Sequence, residues 1–145
     1  MKLYTIGFTQ KSAKTFFELL EEKHMELLLD IRLNNRSQLA GFTKGSDLSY
    51  FLKRIVQCDY IHDVTFSPTK ELLDDYKKGR ATWGDYVTIF SRLIEERNMV
   101  RHFLDNYADY GNIVLLCSEP TPEQCHRRLV AEAIARETNT DIIHL

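Results

Sequence analysis

The sequence predicts a single α/β domain, a three-layer α/β/α arrangement around a mainly parallel sheet of about four or five strands. Two observations predict it. The runs Leu27-Leu28-Leu29-Asp30-Ile31 and Ile113-Val114-Leu115-Leu116-Cys117 are nearly continuous in apolar residues, the pattern of strands buried on both faces of a parallel sheet. Between and around them apolar residues recur at helical spacing, and strands that alternate with helices build parallel sheets. At 145 residues the chain makes one domain, long enough to bury roughly two thirds of its surface. No linker, internal repeat or low-complexity segment divides it.

Taken in order, Lys2 to Ile6 reads as a first strand that Gly7 ends in a turn. Ser12 can cap a helix that buries Phe16, Phe17 and Leu20. The Leu27–Ile31 strand follows, and after Arg32 comes a polar, irregular stretch to Ser46 with Asn34, Asn35, Gly41 and Gly45. Leu48, Phe51, Leu52, Ile55 and Val56 keep helical spacing, and Cys58 to His62 fits a third strand. Tyr86, Ile89, Phe90, Leu93 and Ile94 predict a helix that Val100, Phe103, Leu104 and Tyr107 extend. Gly111 and Asn112 break it before the Ile113 strand. A further helix is expected to open at Thr121 as N-cap, with Pro122 in its first position and Gln124 completing a capping box. It would bury Leu129, Val130, Ala133 and Ile134 and carry Cys125, His126 and Arg127 in its first turn. Asp141 to Leu145 gives a short last strand.

The net charge of −2 gives no bulk attraction to nucleic acid or to an anionic membrane. No apolar run approaches the roughly 20 residues of a membrane span, and the opening residues are too short a run for a signal peptide. Three cysteines, an odd count without an export signal, suit free thiols in a reducing cytoplasm.

In an open parallel sheet, ligands collect beyond the strand C-termini. Gly7, Asp30 to Arg32, His62 and Cys117 all stand at such ends, which favours one shared site. Together these residues resemble the bacterial and archaeal family known as domain of unknown function 488. The likeness covers nearly the whole chain. It rests on T-I-G at Thr5 to Gly7, D-I-R at Asp30 to Arg32, then Arg36, Ser37, Phe42, Tyr60 and His62. Its most specific part is C-x-E-x5-C-H-R at Cys117 to Arg127, with a closing His144-Leu145. Where many relatives carry a proline soon after the D-V-R element, this chain has Leu33, Asn34 and Asn35. The resemblance implies a three-layer α/β fold and supplies no substrate.

Each candidate residue has a functional and a structural reading. Cys117 is either a small residue finishing a buried strand or a reactive thiol. In the second case the helix N-terminus and Arg127 or Arg32 would lower its pKa. Glu119 serves as general acid/base or as an anchor for Arg127. Cys125 reads as a small core residue, and a Cys117–Cys125 redox couple stays open. His126 is a catalytic base or a structural hydrogen-bonder, pushed toward its neutral form by the helix N-terminus. The loop is not the C-x5-R cradle of cysteine phosphatases, because Glu123 stands where that arginine would fall. No metal ligands are assigned: Cys125 and His126, adjacent on a helix, would diverge by about 100°. A three-ligand site from Cys117, His126 and His62 stays open.

Asp30 and Arg32 form a local salt bridge, or Arg32 binds an anion together with Arg36 and Ser37, helped by Lys11 and Lys14. Tyr76, Trp83 and Tyr86 beside Lys77-Lys78-Gly79-Arg80 either stack bases or surround a solvated charge run. The expected catalytic residues are thus Cys117, His126 and Glu119. Arg32, Arg36, Ser37, Arg127, Asp30 and His62 are the expected substrate contacts. The first expectation is a small cytoplasmic, thiol-dependent enzyme acting on an anionic, phosphate-bearing or nucleic-acid-derived substrate, its cofactor left open. The alternative is a nucleotide or nucleic-acid binding accessory protein that holds phosphate through Arg32, Arg36 and Arg127 and whose cysteines are structural.

Overall fold

In the computed structural model, which describes residues 1–36 and 40–145, five parallel strands form one sheet. The strands are β1 (Lys2–Gly7), β2 (Leu27–Asp30), β3 (Asp59–His62), β4 (Asn112–Cys117) and β5 (Ile142–His144), in the order β3-β2-β4-β1-β5. The α-helices among the described residues are α1 (Ala13–Glu22), α2 (Gly45–Phe51), α3 (Lys70–Lys77), α4 (Trp83–Glu96), α5 (Met99–Tyr107) and α6 (His126–Thr138). Ser37 lies outside the described residues. Among the described residues no helix is long and apolar enough to cross a membrane.

The strands are apolar throughout because both faces are covered. Leu27 pairs with Ile113, and Ile113 with Leu3, so these side chains share one face; Leu28, Val114 and Tyr4 share the other. The first face packs under α3, α4, α5 and α6 through residues such as Leu72, Phe90, Phe103 and Ile134. The second packs under α1 and α2 through Phe16, Phe17, Leu20 and Leu48. This is the expected three-layer domain.

Local signals set most element ends. The Ser12 side chain accepts from the Thr15 amide and caps α1. Thr82 and Asp85 form a reciprocal capping box that starts α4. The expected continuous helix through Tyr107 is two helices, because Asn98 takes a left-handed conformation (φ 51) between α4 and α5. The helix expected at Leu48–Val56 is α2 followed by a wider turn over Leu52–Val56, closed by left-handed Gln57.

The expected helix start at Thr121 is also corrected. Residues 118–125 form no helix, and α6 begins at His126 with extended Cys125 as its N-cap (φ −134, ψ 139). The Cys125 amide bonds the Pro122 carbonyl at 3.2 Å, and the Arg128 amide bonds the Cys125 carbonyl at 3.1 Å.

The strand order defines where a ligand would enter. β1 leads to β2 and β2 to β3, both steps moving toward one edge. β4 leads to β5 toward the other edge. The neighbours β2 and β4 therefore send the chain in opposite directions, which opens a crevice at their C-terminal ends.

Candidate functional site

A cleft of about 850 Å³ lies at that crevice, and Arg32, Cys117, Glu119, Cys125 and His126 are among its lining residues. Cys117 is the last residue of β4 and Arg32 follows β2 by two positions, so the switch point itself brings them together. Cys117, Cys125 and His126 are all at least nine tenths buried.

The His126 ring is held from both sides. Its Nε2 lies 2.8 Å from the Ile31 carbonyl, and its Nδ1 lies 3.4 Å from Cys117 Sγ. A carbonyl only accepts, so Nε2 carries a hydrogen and Nδ1 faces the sulfur. With both groups neutral the thiol donates to Nδ1; after proton transfer the imidazolium donates to the thiolate. Phe90 packs edge-on against the same ring at 5.5 Å between centroids.

Charge is distributed unevenly over the three side chains. A hydrogen bond from the Cys125 thiol and the nearby His126 cation hold the Cys117 thiol well below the ordinary thiol range, against the opposing effect of burial. Burial, then the hydrogen bond and negative charge of Cys117, push the Cys125 thiol well above it. Burial pulls the His126 imidazolium down, but the Cys117 sulfur more than offsets this and raises it. The sequence expected His126 to be driven neutral by the helix N-terminus, and Cys117 to be lowered by that terminus and by Arg127 or Arg32. Here Cys125 and His126 lower Cys117, and the contact with Cys117 raises His126. Cys58, at 1% exposed, has its thiol pushed up to about 12, mainly by burial.

The arginines do not converge on the cleft as expected. Arg32 does line it, but Asp30 grips its guanidinium in two contacts of 2.8 and 2.7 Å, and the Thr43 carbonyl takes Nη2 at 2.7 Å. Nη1 makes one long bond of 3.5 Å, to Thr43 Oγ1, among the described residues. Asp30 is fully buried and also accepts from the Tyr60 hydroxyl at 2.6 Å; it holds Arg32 and is not among the cleft-lining residues. His62 bonds the Arg32 carbonyl at 2.7 Å, and it shares a separate small hollow with Arg36 and Lys44.

Arg127 is fully buried beneath the loop and is not part of the cleft lining. Nη1 donates to the Glu119 carbonyl at 2.8 Å and Nε to Thr5 Oγ1 at 3.3 Å. The expected anchoring of Arg127 by Glu119 therefore runs through the peptide carbonyl, while the Glu119 side chain is exposed at the cleft.

Sequence reasoning did not place the aromatic walls. Phe8, Phe42, Tyr76 and Tyr86 line the cleft together with Lys11 and Lys77. Tyr86 stacks between Trp83 and Phe90 at 5.1 and 5.8 Å, so these rings are packed on one another. Arg80 pairs with Asp75 at 2.9 Å. The signal for Tyr86 was present in the spacing of α4, which sends it inward with Phe90. Only the tertiary fold shows that its position ends beside Cys117.

No curated protein and no solved structure matches the chain. One family does match, over a span that contains β2, β3, β4, the cysteine loop and most of α6. The chain belongs to the family described as domain of unknown function DUF488, whose model matches residues 12–134.

Proposed function

We propose that the protein is a thiol-dependent enzyme in which Cys117 is the nucleophile and His126 Nδ1 is its base. The observation that carries this is the chain of contacts from Cys117 Sγ to Nδ1 at 3.4 Å and from Nε2 to the Ile31 carbonyl at 2.8 Å. A nucleophile, a base and a third group that orients the base make an activated-nucleophile arrangement. Here a backbone carbonyl takes the orienting place. The thiol proton passes to His126, which can return it to a leaving group, and Glu119 on the cleft wall is a second proton carrier.

Lys11 and Lys77 on the cleft walls support an anionic substrate, and the aromatic side chains suit an apolar portion of it. In this reading Asp30 and Arg127 shape the site from behind, and Arg32 forms part of its wall. Arg36, Ser37 and His62 remain candidates for an extended substrate.

Iodoacetamide labelling of metal-free protein at neutral pH, read by peptide mass spectrometry, tests the assignment. Cys117 should be modified at least roughly tenfold faster than Cys58, and His126→Ala should remove most of that advantage. Equal, slow labelling of all three thiols would overturn it.

A further inference from the structure

The corner of the cleft that holds the thiol pair also meets the requirements of a different chemistry. Cys117 Sγ, Cys125 Sγ and one ring nitrogen of His126 all lie within 4.8 Å of one another, and Nδ1 is the nitrogen that faces Cys117. We propose that these three atoms form a binding site for a thiophilic divalent cation of the zinc class, with the fourth coordination position turned to the cleft.

The geometry is near what such an ion sets. A tetrahedral zinc holds sulfur and nitrogen ligands about 3.5 Å apart and two sulfurs about 3.8 Å apart. The Cys117 Sγ to His126 Nδ1 separation is already 3.4 Å. The sequence placed Cys125 and His126 on one helix, pointing apart. Because Cys125 is instead an extended N-cap, its thiol leaves the helical path and meets the imidazole.

The surroundings fit as well. Ile31 accepts the Nε2 hydrogen, which leaves the Nδ1 lone pair toward the sulfurs, the outer contact a metal-bound histidine commonly makes. Two sulfurs and an imidazole select a soft or borderline ion over magnesium or calcium. A structural zinc site is closed by four protein ligands. Three ligands on the wall of a cleft match the open kind, where water or an oxygen of an anionic substrate completes the shell. Each thiol that ligates gives its proton to solvent.

This inference stands apart from the thiol reading, since a ligated Cys117 is not free to attack. Cobalt(II) alone, titrated into the metal-free, reduced full chain, tests it. One ion per chain should bind, with strong sulfur-to-cobalt absorption in the near ultraviolet and visible bands of four-coordinate intensity. Cys125→Ser should weaken binding at least tenfold, and bound cobalt should slow Cys117 alkylation at least tenfold. Cys58→Ser, away from the cluster, should bind as the parent does. Absence of these bands, weak six-coordinate bands, or unchanged affinity in Cys125→Ser would overturn the metal site. If Cys117 then alkylates fast, the thiol reading survives alone. Tight cobalt binding by a protein whose metal-free Cys117 alkylates slowly would leave the metal site standing and remove the thiol enzyme.

Discussion

Gly7 and Arg127 act on the same peptide. At the end of β1 the chain passes so close to the cysteine loop that a Cβ on Gly7 would meet the Glu119 carbonyl oxygen at 1.7 Å. That same oxygen is the acceptor for Arg127 Nη1. Gly7→Ala must therefore displace the Glu119 peptide and take the acceptor from a fully buried guanidinium. A loss of about 1–3 kcal/mol is expected from the forced contact, read from urea midpoints. An unchanged midpoint would show that the loop yields without cost and that Arg127 does not depend on it. The sequence marked Gly7 as a turn and offered Glu119 as an anchor for Arg127, but it did not bring Gly7 to that contact. The contact links residues 7, 119 and 127, and no local pattern records a contact between a strand end and a loop over a hundred residues later. Cys125 is buried as expected, but its place inside the helix was misjudged for a related reason. Thr121, Pro122 and Gln124 are good helix-start residues, but the chain between Glu119 and Cys125 is committed to the Arg127 contact and a turn, so the helix waits for His126.

At the scale of elements, the strands were legible because burial on both faces leaves little choice of residue, and α1 was legible from its cap and its apolar stripe. What joins β3 to α5 was not. Asp63 follows β3, and its carboxylate takes the Thr65 amide at 3.0 Å, His102 Nε2 at 2.7 Å and the Tyr107 hydroxyl at 2.6 Å. Burial opposes its ionisation, but the bonds from Tyr107, His102 and Thr65 prevail and hold the carboxyl below its ordinary value of 3.8. A carboxyl depressed in the folded state stabilises the fold above its unfolded pKa, and that contribution disappears as pH falls through the folded pKa. Stability should accordingly drop below about pH 4, and Asp63→Asn should flatten that limb while costing about 1–3 kcal/mol at pH 7. Urea midpoints between pH 2 and pH 7 measure both. An acid limb of the same depth in the variant would assign the loss to other carboxyls.

For the molecule as a whole, the order of the strands in space differs from their order in the chain. β4 pairs with β1 on one side and β2 on the other, and β1 and β2 never pair with each other. During synthesis the chain therefore makes β1, β2 and β3 long before the strand that joins them. A chain ended at Gly111 has β2 and β3 to pair, while β1 lacks both of its neighbours, β4 and β5. Closing a sheet across such sequence separation is slow and requires the late segment. That shortened chain should show no cooperative urea transition and little near-ultraviolet circular dichroism; a sharp transition would mean the first three strands fold without β4. Because Cys117 closes β4 and His126 opens α6, their side chains meet only once β4 has docked between β1 and β2. If Cys117 is the reactive thiol proposed above, a nascent chain would carry it at ordinary reactivity until then, because nothing yet holds an imidazole against its sulfur.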